Sequence, residues 1–217
     1  MNHTYRAILA IFTLALVSAC ATYTGDNLLK IPEEPSTSNQ NRTISKAKEG
    51  VSEILDSLGV PEEKKTSFEK IALKDVIRDN EPLKLTRIDN QLVVARAKTD
   101  ISYATNSIII STGALHISHS GNNIIVCGND VDISHDGSLG NGSLVISKGK
   151  TKISHAGNTL IYAIKGVEIS HANHVRAFNT RERKTSWGHI NNIIVKPLFQ
   201  EETAPNESLQ LTGVAGD

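Results

Sequence analysis

Aromatic residues make up only 4% of this 217-residue chain, and cysteine occurs twice. With Cys20 assigned to another role below, Cys127 has no partner, so no disulfide framework holds the fold together. Charge is missing too: 23 basic residues balance 23 acidic ones, which removes any overall electrostatic case for nucleic acid. The longest apolar run, Ala7 to Val17 broken only by Thr13, has eleven residues and is too short to span a bilayer as a mature helix. What is present is Ile, Val and Leu in quantity, residues that suit strands, arranged in a strict repeat.

The repeat is Ile-Ser-His: Ile117-Ser118-His119, Ile133-Ser134-His135, Ile153-Ser154-His155 and Ile169-Ser170-His171. Ile101-Ser102-Tyr103 precedes it, and Leu85-Thr86-Arg87 and Thr185-Ser186-Trp187 are degenerate copies. From Leu85 to Thr185 the steps are 16, 16, 16, 20, 16 and 16 residues, a solenoid signature. Each period also carries an Asn, a polar residue and three apolar residues, as in Asn122-Asn123-Ile124-Ile125-Val126, with Gly between the pieces. Two short strands per period predict a mainly β fold, a flattened parallel β-solenoid of about seven 16-residue coils over residues 76–198, stacked about 4.8 Å apart.

In that solenoid, residues one period apart become vertical neighbours. Period-2 alternation turns Leu83, Thr99, Leu115, Val131, Thr151 and Val167 inward, together with the Ile column two residues later. Between them an outward ladder, Lys84, Asp100, His116, Asp132, Lys152, Glu168 and Lys184, mostly alternates in sign and favours the register by cross-strand pairing. The second strand has three consecutive apolar columns. The expectation is that the first and third point inward, leaving Val93, Ile109, Ile125, Val145 and Ile161 outside as an interaction column. Either the N-terminal helices cover that stripe, the favoured reading, or another molecule does.

Helical periodicity precedes the repeat. Ala47, Val51, Ile54, Leu55 and Leu58 share one face from Ser45 to Leu58, Gly59 is a natural C-cap, and Pro61 can open a second short helix. This segment, 43–75, is expected to cap the N-terminal end or to cover one flank. Residues 21–42 are mostly polar and read as a flexible tether; 199–217 lose all periodicity and read as a disordered tail.

The residues that tempt a chemical reading are better explained by stacking. His119, His135, His155 and His171 could chelate a metal if their nitrogens converged, but in-register stacking directs the rings alike, so they are read as a structural ladder. The Ser column faces outward. Adjacent strand residues face opposite sides, so each His is badly placed as a base for its Ser. Cys127 occupies a small-residue position shared with Ala95, Ser111, Ser147 and Ala163, and nothing nearby activates it. The Asn column, Asn90, Asn106, Asn122 and Asn158, reads as a turn ladder. No catalytic residue, metal or cofactor is assigned.

Two resemblances add to this. Arg6, the apolar run and Val17-Ser18-Ala19-Cys20 resemble a bacterial lipobox. The resemblance implies that residues 1–19 are a signal peptide and that Cys20 becomes an acylated N-terminus. Ala21 after the Cys implies delivery to the outer membrane. The pattern apolar-x-Ile-Ser-His-x-Gly-Asn-x-apolar-apolar, clearest at 115–125 and 151–161, resembles Gly-Asn-rich repeats of exported lipoproteins and, more distantly, bactofilins. His in place of the common Gly departs from such repeats. Together these imply a lipid-anchored, non-catalytic envelope module whose partners are the membrane and other envelope proteins, without nucleic acid. The alternative is an envelope glycan-binding or glycan-processing β-helix, using the Lys/Asp/His ladder. A third reading is self-association from an uncapped end.

Overall fold

The computed structural model describes residues 37–137, 141–179, 183–185 and 190–197. The signal segment, Cys20, the tether up to residue 36, Ser186, Trp187 and the tail from 198 onward lie outside the described residues. Two helices, α1 (Thr37–Ser57) and α2 (Glu62–Glu69), precede the strands β1 (Asp75–Asp79), β2 (Leu83–Asp89), β3 (Gln91–Ala95), β4 (Thr99–Thr105), β5 (Ile108–Ser111), β6 (Leu115–Gly121) and β7 (Ile124–Cys127). Then come β8 (Val131–Asp136), β9 (Leu144–Ser147), β10 (Lys150–Gly157), β11 (Leu160–Ala163), β12 (Gly166–Asn179), β13 (Arg183–Thr185) and β14 (Ile190–Pro197).

The chain winds into a parallel β-solenoid of about six turns of about 16 residues. Odd strands stack β1-β3-β5-β7-β9-β11 and even strands β2-β4-β6-β8-β10, and the two stacks meet in β12. Vertical neighbours are those the repeat predicts: Ile101 beside Ile117 beside Ile133, and His119 beside His135 beside His155. Sixteen residues per turn, or twenty at the insertion, place chemically matching side chains at the same height.

The even strands are not straight alternators. In β4, Thr99 and Ile101 are buried, Ser102 is half-buried, Tyr103 is exposed, and Ala104 is buried again. The paired register likewise passes from Ile101–Ile117 to Tyr103–His119 without a Ser102–Ser118 pair. Two consecutive outward positions mark a bend. It throws the Ser and Tyr/His columns onto the outside together, which corrects the expectation that Ser and His face opposite sides.

The odd strands after the half-buried β1 are buried on both faces: Leu92, Val93, Val94 and Ala95 are all inside, as are their counterparts in β5, β7, β9 and β11. The middle column, Val93, Ile109, Ile125, Val145 and Ile161, belongs to the interior core with Ile101, Ile117, Ile133, Ile153 and Ile169, and each of these five odd-strand residues is 0% exposed. It is therefore not an outward interaction column. The flanking columns instead face outward and form a second cluster with Ala47, Val51, Ile54, Leu55, Phe68 and Ile71 of the helical segment. A strand covered on both sides reads as a continuous apolar run, which is why all three columns are apolar.

The helices lie along this flank. Thr43 of α1 is held near β1, since Arg78 Nη2 donates to its Oγ1 at 3.3 Å. The helix starts at Thr37, inside the stretch expected to be tether, and ends where Gly59 adopts φ 60° and the Val60 N–H donates to the Leu55 carbonyl at 3.0 Å. No described helix is long and apolar enough to cross a membrane.

Candidate functional site

With one flank under the helices, the chemistry left to solvent lies on the even strands. Its most ordered feature is a column of rings. Tyr103 and His119 stack with centroids 4.7 Å apart, then His119–His135 at 5.1 Å, His135–His155 at 4.6 Å and His155–His171 at 4.5 Å, with interplanar angles of 13°, 8°, 4° and 4°. The coil spacing of a parallel sheet sets these distances. His155 and His171 are exposed, His119 and His135 half-buried, and Tyr103, 43% exposed, is the exposed large hydrophobic among the described residues. The Nδ1 atoms of His119 and His135 are buried and make no hydrogen bond.

Near-parallel rings settle what the column can hold. Imidazole lone pairs lie in the ring plane, across the stacking axis, so nitrogens of successive rings point side by side and do not converge. A tetrahedral site needs convergence, and no group of three or more His, Cys, Asp or Glu suited to a metal occurs among the described residues. The stack suits cohesion between coils, at about 0.5–1.5 kcal/mol per aromatic pair.

The charge ladder departs from expectation. Asp132 lies in register between His116 and Lys152, yet none of the three forms an ion pair or hydrogen bond among the described residues. The pairs that do close use lysines just before or at the start of the strands: Lys98 with Asp100 at 3.6 Å, and Lys150 with Glu168. Side chains standing parallel on adjacent coils reach different heights, and the short Asp132 does not meet the ammonium of a long Lys152 beside it. Lys98, Asp100, His116, Asp132, Lys150 and Lys152 line a shallow groove of about 420 Å³ running over four coils.

A buried polar network, absent from the reading of the sequence, runs up one inner corner. At the preceding Asn the chain takes left-handed backbone, with φ 57° at Asn90, 48° at Asn106, 55° at Asn122 and 55° at Asn158, a conformation Asn tolerates. The next N–H then points into the corner and must be satisfied. The Gln91 N–H donates to Ser107 Oγ at 3.1 Å, Ser107 N–H to Asn123 Oδ1 at 2.9 Å, Asn123 N–H to Ser143 Oγ at 3.3 Å and Ser143 N–H to Asp136 Oδ2 at 2.8 Å. Ser107, Asn123 and Ser143 supply the side-chain oxygens that accept these N–H groups, whereas Gln91 enters only through its backbone and its own Oε1 is buried without a partner. Asp136 also accepts from the Ser143 and Thr159 hydroxyls. It is 3% exposed, and burial pushes its carboxyl above the ordinary aspartate range, against the pull of those hydrogen bonds. It anchors the chain where the four-residue insertion rejoins the coil.

Cys127 sits 0% exposed in the inner small-residue column, its Sγ–H within 3.3 Å of the Gly113 carbonyl. The Asn ladder pairs across coils, Asn122 Nδ2 donating to Asn106 Oδ1 at 2.8 Å. The chain matches no protein-family model, and no significant match is found among curated proteins or solved structures.

Proposed function

We propose that this chain is a lipid-anchored, non-catalytic module of the bacterial cell envelope, tethered through Cys20 to the outer membrane, which offers the ladder face of its solenoid to other envelope proteins. The observation that carries this reading is the division of the surface. The chain's own helices seal the apolar flank, while Ser118, Ser134, Ser154 and Ser170 and the Tyr103–His171 stack stay at the surface in a regular array. A rigid array backed by a packed core is a docking surface, and the lipobox-like Val17-Ser18-Ala19-Cys20 supplies the anchor. The short-repeat pattern adds the likeness to exported Gly-Asn-repeat lipoproteins and, distantly, to bactofilins.

Glycan binding is a second reading, supported by the groove along Asp100, His116, Asp132 and Lys152. Glycan processing is disfavoured by the placement of Asp136, the carboxylate that burial raises, inside the core and outside that groove. End-to-end assembly is disfavoured by the first coil, whose edge carries Asp75, Lys84, Arg87 and Asp89 exposed, charges that discourage strand addition.

The test is fractionation of cells expressing wild-type or Cys20→Ala protein, with a photo-crosslinker placed at Ser134. The expected result is loss of acylation and of membrane association in the variant, and a discrete crosslinked envelope protein in the wild type. A Cys20→Ala protein that stays processed and membrane-bound, or a Ser134 probe that captures nothing, overturns the proposal.

A further inference from the structure

We infer that the groove on the ladder face is a binding site for a zwitterion, a ligand carrying a free amine and a free carboxylate, such as an amino acid or the end groups of a short peptide. The inference does not depend on the lipid anchor. It starts from three side chains on successive coils, His116, Asp132 and Lys152, aligned in register and uncommitted to any partner among the described residues. Asp132 is half-buried, so its unpaired carboxylate has lost part of its hydration without gaining a counter-ion.

The other two lysines of the groove are already paired. Lys150 Nζ is tied to Glu168, and the exposed Asp130 accepts the Lys150 backbone N–H at 2.8 Å, a bond that positions its carboxylate without neutralising it. Lys98 is paired with Asp100 at 3.6 Å. Asp132 and Lys152 therefore remain, an acidic and a basic side chain on neighbouring strands whose backbones lie about 4.8 Å apart, with the His116 imidazole on the far side of the acidic one. A ligand ammonium seated on Asp132 and a ligand carboxylate seated on Lys152 complete an alternating row that the two side chains leave open between themselves. A ligand of one sign satisfies only half of this arrangement, and a neutral sugar satisfies neither charge.

The test titrates the full chain at low, fixed salt, since solvent-facing charges are screened, with the dipeptide Ala-Ala, its N-acetylated form, its C-amidated form and a neutral oligosaccharide of N-acetylglucosamine. The readouts are calorimetric heat and the imidazole resonances of His116. Ala-Ala should bind and shift those resonances, and each blocked peptide should bind at least about tenfold more weakly. Asp132→Asn and Lys152→Gln should each reproduce that loss, and the double exchange Asp132→Lys with Lys152→Asp should recover binding. No binding of Ala-Ala, equal binding of the blocked peptides, or tighter binding of the oligosaccharide each overturns the inference. The ligand series uses only the wild-type chain, so a misfolded variant does not decide the outcome.

Discussion

Replacing Ile125 by lysine separates the two ways of threading the odd strands. If the middle column faced outward, a lysine there would be a surface change, within about 0.5 kcal/mol of neutral. In the structure Ile125 is 0% exposed and sits between Ile109 and Val145 of the adjoining coils. Truncation alone, Ile125→Ala, removes a fully buried branched side chain and should cost about 2–5 kcal/mol. A hole here touches two coil–coil interfaces, and in a stacked repeat those nearest-neighbour terms carry much of the stability. Lysine adds the cost of bringing an ammonium into an apolar interior without a partner, several kcal/mol more. Against a typical total of about 5–15 kcal/mol, Ile125→Lys should leave the solenoid largely unfolded. The assay is urea denaturation followed by far-UV circular dichroism, with Ser118→Lys on the exposed face as the control for adding a lysine. Ser118→Lys should keep the wild-type midpoint. An Ile125→Lys protein that also keeps it, with an unchanged slope, would refute the inward threading and the helix-covered flank.

Two further outcomes follow from single sites. Burial raises the Asp136 carboxyl, so the folded state holds its proton more tightly than the unfolded one. Its contribution to stability is therefore complete below the unfolded value, about 4, and declines as pH rises from there through the raised folded value. Asp136→Asn should remove that decline, read as the wild-type-minus-variant difference in unfolding free energy across pH; a difference that grows with pH would mean the hydroxyl donors outweigh burial. At Gly113 an added Cβ would lie 2.4 Å from the Ala97 carbonyl carbon of the coil below, whereas at Gly128 the nearest atom is 3.4 Å away. Gly113→Ala should cost about 1–3 kcal/mol in thermal or urea melts and Gly128→Ala markedly less; equal melts would show that the turns do not approach this closely.

Periodicity carried the fold further than any local rule. In a parallel stack, position 16 residues on is the next contact, so matching residues at that interval, such as Ile101, Ile117 and Ile133, declare both the architecture and the register. Helix α1 was legible for the same reason, because Ala47, Val51, Ile54 and Leu55 recur on one face. Its start was not. Thr37 to Arg42 carry no apolar residue to extend the pattern, yet they are helical. Propagating an existing helix adds one hydrogen bond per residue fixed, so it needs no hydrophobic signal of its own.

What misled was polarity at the corner. Gln91, Ser107, Asn123, Ser143 and Thr159 look like solvent-facing residues, and alternation counted from an outward residue places Val93, Ile109, Ile125, Val145 and Ile161 outside. The structure reverses this because left-handed Asn90, Asn106 and Asn122 turn the N–H groups of Gln91, Ser107 and Asn123 into the corner, and an inward polar side chain of the next coil accepts each one. With that column inside, every later position in the strand changes face. The small residues Ala95, Ser111, Cys127, Ser147 and Ala163 were the available clue. Two steps beyond the middle column they share its parity, and small size at a turn signals an inner corner where two strands approach closely. The unpaired Asp132 could not be read the same way. In sequence, Asp132 and Lys152 are complementary neighbours one coil apart, and only the unequal reach of two parallel side chains leaves the pair open.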